Sequence, residues 1–159
     1  MKLSEGEQIL RIFHHHPTPF FFDIFKVVLG SFPFMFLIFL FKATMSDSVF
    51  LIANVVLLVI FSLVIIYVSL IYWLDKLVIT NLRIVNVDWK YLTVRNEAEA
   101  MLADIQDILT YENGWLAYFK AFDYGTLKLD TASSYTTLVF FNAPSPEEIR
   151  RFIYHIRSQ

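Results

Sequence analysis

The spacing of hydrophobic and polar positions changes character twice along the chain, and each change marks a different kind of structure. Residues 49–74 (VFLIANVVLLVIFSLVIIYVSLIYWL) show no polar period and carry no charge. As a helix these 26 residues, at about 1.5 Å each, reach roughly 39 Å. A bilayer core is roughly 30 Å thick and needs about 20 apolar residues, so the stretch predicts a membrane span. A buried helix of a soluble core is the alternative, but such helices rarely run past about 20 residues without a polar face. An earlier run, residues 27–41, gives 15 uncharged positions between Lys26 and Lys42. Counted from Ile24 to Ala43 it gives 20, with both lysines able to reach the headgroups and Asp23 at the interface. Gly30 and Pro33 are tolerated in a span whose neighbours satisfy the backbone; a re-entrant or interfacial segment is the alternative here. A signal peptide fits poorly, because the apolar run starts late and no small-residue cleavage site follows. The polar link Lys42–Ser48 (KATMSDS) is short, so the two spans, 24–43 and 49–73, are expected to form a tight hairpin after a segment 1–23.

From Tyr72 onward the period becomes two. Val85, Val87 and Trp89 alternate with Asn86, Asp88 and Lys90, and Leu127 and Leu129 alternate with Thr126, Lys128 and Asp130. Alternation of this kind predicts strands with one buried face, near 74–80, 83–89, 91–96, 105–112, 123–131 and 134–142, with an extended piece at 97–103. Thr80-Asn81, Asn113-Gly114 and Ser133-Ser134 supply turn chemistry between them. Residues 114–121 (GWLAYFKA) are too apolar for a solvated loop and are expected to pack on the sheet or the membrane surface. The last segment, APSPEEIRRFIYHIRSQ, predicts a helix: Ser145 as N-cap, Pro146 at the first helical position and Glu148 completing a capping box. Glu147 and Glu148 in its first turn and Arg157 in its last match the helix dipole. Ile149, Phe152, Ile153 and Ile156 make one apolar stripe.

The element order is therefore an apolar hairpin, then six to seven antiparallel strands in residues 74–159, then one capping helix. That is the order of an α+β membrane protein carrying a PH-like β-barrel or sandwich, a bent sheet plugged by a carboxyl-terminal helix. The second span runs into the first predicted strand without a linker, which predicts a domain held close to the bilayer.

Composition sharpens this picture. Of the chain's 159 residues, 57% are hydrophobic, and nine of the 17 Phe lie between Phe20 and Phe41. Typical soluble domains are about 45–50% apolar. Lys2, Arg11 and Lys26 precede the hairpin, and Lys76, Arg83 and Lys90 follow it. Its loop carries Lys42 alone. The positive-inside rule then puts both termini of a multi-pass protein in the cytoplasm. The absence of Cys agrees with a reducing compartment. A sequence pI near 6.0 argues against nucleic-acid binding, which needs a basic surface.

Five stretches carry a family resemblance: LSEGEQILRIFHHHP before the first span, LVITNLRIV after the second, ADIQDI at 103–108, YGTLKLDTA at 124–132 and NAPSPEEIRRFI at 142–153. In these, and in their order, the chain resembles the membrane-flanked bacterial PH-like domain proteins, the YdbS-like group. The resemblance implies the fold and the membrane placement, and self-association as in ring-forming relatives. None of its stretches is catalytic.

Candidate sites are few. His14, His15 and His16 suggest a metal site, with Glu7 and Asp23 the nearest further ligands, or an interfacial, pH-sensitive surface. Consecutive residues seldom all face one ion, and no Cys stands beside them. Lys76, Arg83 and Lys90 are candidate lipid-headgroup ligands. Residues 72–159, however, hold 9 Lys+Arg against 11 Asp+Glu, and each basic residue near an anionic surface gains only about 1 kcal/mol. Asp104 with Asp107, and Glu97 with Glu99, lack a companion His and read as solvated faces. Arg150, Arg151, His155 and Arg157 lie off the apolar stripe, where solubility explains them. The second span holds no Asp, Glu, Lys, Arg or His, which argues against a transport path. The sequence thus points to no catalytic residue and no cofactor. It favours a non-enzymatic interaction or scaffolding module at the cytoplasmic membrane surface, whose partners are membrane lipids, copies of itself or other membrane proteins. Lipid-headgroup sensing is the alternative, and a metal-dependent enzyme built on the His cluster a more distant one.

Overall fold

The computed structural model describes residues 3–112, 123–132 and 137–158. They divide into two compact units. One comprises Met1–His16 and Ile71–Gln159, and the other Pro17–Leu70. The apolar segment is thus an insertion into a domain whose chain begins before it. In order the elements are β1 (Ile9–Phe13), α1 (Pro17–Leu40), a 3-10 turn (Lys42–Thr44), α2 (Asp47–Leu74), β2 (Lys76–Thr80), β3 (Arg83–Tyr91), β4 (Val94–Met101), a second 3-10 turn (Leu102–Asp104), β5 (Ile105–Glu112), β6 (Tyr124–Thr131), β7 (Thr137–Pro144) and α3 (Pro146–Arg157).

Both inserted helices are long and apolar enough to cross a bilayer, and neither buries residues within the protein. α1 starts at Pro17, earlier than the expected 24. Pro17 and Pro19 suit a first turn, where their missing N–H groups would have no partner, and the Lys26 ammonium neutralises Asp23 at 2.8 Å. The helix continues through Gly30 and Pro33. Polar side chains on these helices bond to their own backbone. Ser31 donates to the Val28 carbonyl, Asn54 Nδ2 to Phe50 and Ser69 to Ile65, at 2.6, 2.8 and 2.7 Å. This leaves little polarity facing outward.

The other unit holds two antiparallel sheets, ordered β1-β2-β3-β4 and β5-β6-β7. The expected barrel is not closed: among the described residues no strand ladder joins the two sheets. The expected pieces 91–96 and 97–103 are one strand, β4, paired with β3 from Arg83↔Met101 to Tyr91↔Val94. The sheets and α3 enclose a single main core. Leu77, Ile79, Ile84, Leu127, Leu129, Leu138, Phe140, Ile149 and Ile153 are fully buried there. Alternation along β2 and β3 puts Val78, Val85 and Val87 on the opposite face. They form a second buried cluster with Trp89 packed against it. β1 was not expected, because 1–23 reads as a segment outside the domain. It pairs antiparallel with β2, Phe13↔Leu77 and Ile9↔Thr80. Its Arg11 shares the core-side face with Phe13 and lies over the Phe13 and Phe152 rings at 4.7 and 5.5 Å.

α3 follows the predicted stripe, with Ile149 and Ile153 buried and Phe152 and Ile156 packed at the margin. Its capping differs from expectation. Ser145 sits at the cap in the left-handed region (φ 42°, ψ 65°) and makes no side-chain cap bond. Its carbonyl instead accepts the Glu148 N–H at 2.9 Å. Thr110 of β5 donates to Glu147, tying the first turn of the helix to the sheet. The expected turns at 113–114 and 133–134 and the apolar stretch 114–121 lie outside the described residues.

Candidate functional site

Two clusters of polar contacts hold β1 and the residues after it in the domain. At the far end of β1, Glu7 accepts from Arg83 Nε at 2.9 Å and from Arg83 Nη2 at 3.1 Å, and Ser4 N–H donates to the same carboxylate at 2.8 Å. Arg83 Nη1 also reaches Glu99 at 2.6 Å. A forked guanidinium spanning two carboxylates is a strong, oriented contact, and it holds the Glu7 carboxyl down at about 2. Beside it Asn81 reads the backbone of the opposing chain. Its Oδ1 accepts from Gln8 N–H, its Nδ2 donates to the Gly6 carbonyl, and its N–H donates to the Gln8 carbonyl, at 2.9, 3.1 and 3.1 Å. The stretches LSEGEQ and TNLR, far apart in sequence, are two halves of one clamp.

The second cluster lies at the other end of β1, where the histidines lead the chain from β1 into α1. His16 N–H donates to the Asn142 carbonyl at 2.7 Å. His15 Nδ1 lies 2.6 Å from the Phe141 carbonyl. A carbonyl can only accept, so this nitrogen carries the hydrogen. These contacts stitch the end of β1 to β7. The His15 ring stacks on Phe140 and the His16 ring on Tyr124, at 4.8 and 5.4 Å between centroids. Tyr72 donates to the His15 carbonyl at 2.9 Å.

The second ring nitrogen of His15 faces Asp75. Nε2 stands 3.6 Å from Oδ2, and Asp75 Oδ1 accepts the Trp89 N–H at 2.7 Å. Asp75 is nearly buried, at 8% exposure. Burial pushes its carboxyl up to about 6, with Asp88 nearby acting in the same direction against the Trp89 hydrogen bond. Burial pulls the His15 imidazole below its ordinary value, and His14 adds to this, while the Phe141 carbonyl and Asp88 oppose it. With Nδ1–H committed to Phe141, Nε2 attracts the carboxylate only when the imidazole is protonated, and at 3.6 Å the two make no hydrogen bond. Neither residue offers a nucleophile, and the arrangement sets two groups of opposite pKa shift side by side at the seam between the sheets.

The three consecutive histidines therefore diverge. His14 is exposed, His15 faces Asp75 and Phe140, and His16 lies on Tyr124. Among the described residues no group of three or more His, Cys, Asp or Glu is placed to hold a metal ion. Lys76, Arg83 and Lys90 are not brought together either. Arg83 and Lys90 stand on β3 at opposite ends, roughly 23 Å apart by strand rise, and Arg83 is committed to Glu7 and Glu99. Lys76 lies opposite Val87, and Lys90 Nζ lies 5.9 Å from the Tyr91 ring centre. Glu97 is paired with Arg95 and Glu147 with Arg150. Asp107 accepts the Ile108 N–H.

Sequence reasoning missed Asp75 and the Glu7–Arg83 clamp. The buried carboxylate follows an uncharged run directly, where a charge placed at a helix exit reads as solvated. For Glu7 the only available signal was its place inside a stretch shared with relatives.

Comparison with known proteins agrees with this architecture. Residues 27–157 match the family model described as bacterial PH domain, a match that begins after β1. No curated protein matches. Among solved structures, a DUF1696 family protein with a pleckstrin-homology domain from Shewanella loihica PV-4 is similar, at 19% identity and a TM-score of 0.40. The similarity covers 52% of this chain and 70% of that one. With four strands, then three, then a closing helix, and a family match over most of its length, the chain belongs to the bacterial PH domain family.

Proposed function

We propose that this protein is a membrane-anchored, non-enzymatic interaction module. The α1–α2 hairpin enters the cytoplasmic membrane, and the PH-like domain on the cytoplasmic side binds protein partners or further copies of the chain. The observation that carries the reading is the place of the hairpin, inserted between β1 and β2, which are neighbours in one sheet. Adjacent strands cannot lie on opposite sides of a bilayer. If α2 crosses, α1 must cross back. At about 1.5 Å per residue, its 24 residues are roughly 36 Å long, enough for a core of roughly 30 Å. The clamp and the histidine seam fasten both flanks of the insertion to the same domain.

Headgroup sensing through Lys76, Arg83 and Lys90 has less support, because Arg83 already holds two carboxylates and the three cations do not converge. Flotation with vesicles after an alkaline wash, followed by crosslinking in mild detergent, tests the proposal. Retention with the vesicles and crosslinked species of defined size are expected. Release by alkali, or a strictly monomeric particle that captures nothing, would overturn it.

A further inference from the structure

The chain leaves the first sheet for the hairpin after Phe13 and returns at Asp75, and these positions lie at one end of it, Phe13 being paired with Leu77. β3 runs toward that same end. Lys76 lies opposite Val87, and the Trp89 N–H binds Asp75 itself. β3 then continues to Tyr91, about 7 Å further at strand rise, and turns through Leu92-Thr93 into Val94.

A two-residue hairpin turn facing water favours Gly, Asn or Asp. This one puts Leu92 at its tip, with Tyr91 and Val94 on either side, exposed by 53, 37 and 42% for Tyr91, Leu92 and Val94. Lys90 and Arg95 flank them. The register slips between Trp89 and Tyr91, and such a bulge twists the strand and re-aims the side chains beyond it. Trp73, in the last turn of α2 beside the point of return, is 75% exposed. Apolar and aromatic side chains bordered by cations are the composition of a membrane interface, where rings sit at headgroup level and basic groups meet phosphate.

We propose that the β3–β4 turn, through Tyr91, Leu92 and Val94, inserts into the headgroup–acyl boundary of the bilayer that holds the hairpin, a third, shallow point of attachment. The proposal rests on the hairpin entering the membrane. It differs from a headgroup pocket: the contact is apolar, is made to the lipid boundary as a whole, and needs neither Arg83 nor a selected lipid. It would fix the tilt of the domain, since two chain crossings alone leave rotation about the line joining them.

The chain has no Cys, so one introduced thiol reports one position. Leu92→Cys, Leu82→Cys and Ile60→Cys, each labelled with bimane in the full chain, are reconstituted into vesicles of neutral and anionic phospholipid with nitroxide-bearing lipids. Leu82 is the control, an exposed leucine in the β2–β3 turn at the opposite end of the sheet. The Ile60 label is expected to be quenched by deep nitroxides. The Leu92 label is expected to be quenched by shallow nitroxides at least threefold more than the Leu82 label, and to be protected from aqueous iodide. Equal quenching and equal iodide access at 92 and 82, with Ile60 quenched, would overturn the turn's insertion while leaving the hairpin standing. An unquenched Ile60 label would remove the hairpin reading, and this inference with it.

Discussion

Removing one member of the His15–Asp75 pair should expose a pH dependence of stability that the intact pair hides. The Asp75 carboxyl is raised by burial from 3.8 to about 6. Between those values the folded protein binds a proton that the unfolded chain does not. The stability this contributes is present in acid and is lost as pH rises through 6. His15 is shifted the other way, below 6.5. Its contribution is present above 6.5 and is lost as pH falls. In the intact protein the two slopes oppose each other, because burial favours the protonated carboxyl of Asp75 and the neutral imidazole of His15.

The Asp75 shift, at about 1.36 kcal/mol per unit, sets a ceiling near 3 kcal/mol. Solvent reaching a side chain that keeps 11% exposure lowers this to about 1–2 kcal/mol. His15→Gln should therefore lose about 1–2 kcal/mol of stability between pH 4.5 and 7, while Asp75→Asn should lose stability in the opposite direction, as pH falls through 6.5. The slope of the wild type should lie between those of the two variants. His16, also lowered by burial, is common to all and drops out of the differences. Glu7, held at about 2, titrates in the native state below this window. Thermal unfolding in mild detergent across that pH range reads the slopes. Identical slopes for all three proteins would refute the two opposite shifts.

Other perturbations test the remaining parts of the structure. Phe140→Ala empties a fully buried position between the sheets and should cost about 3–5 kcal/mol, read from denaturant midpoints at unchanged slope. Gly125→Ala places a Cβ against the Tyr111 carbonyl oxygen and close to Pro146. It should force β5 and β6 apart and lower the melting temperature more than an alanine at exposed Arg151, measured side by side. Glu7→Gln loosens the clamp, so residues 4–13 should become the first site of limited proteolysis with the rest of the domain intact. In the wild type the same release should begin as pH falls from 4.5 toward 2, because the stability given by a depressed carboxyl is lost in that direction.

Much of the architecture could be read from local pattern. β6 lies where its alternation predicted, at Tyr124–Thr131, and α3 starts at its proline. Both carry a clean buried stripe, and the burial that orders them is the burial their sequence displays. β1 could not be read this way. Arg11 occupies a core-side position, tolerated because its guanidinium lies over Phe13 and Phe152, and this breaks the period of two. The strand also depends on β2, from which the hairpin separates it in the chain. The His15–Asp75 pair was hidden for the same reason. His15 and Asp75 meet only because the two ends of the insertion converge, and the run of three histidines draws attention to metal chemistry while the fold sends each ring to a different partner. The expected barrel differs from the two observed sheets because strand period fixes which face is buried and leaves the pairing between distant strands open.

The proposed function requires that the apolar hairpin lie in the bilayer while the residues on both sides of it complete a single PH-like domain. Hydrogen exchange of the full chain in lipid nanodiscs tests both halves at once. The interiors of α1 and α2 should stay unexchanged for hours, and Ile12 and Phe13 of β1 should exchange as slowly as Leu77 and Val78, their partners on β2. Exchange of β1 at the rate of unstructured peptide, or rapid exchange through the middle of α2, would contradict it.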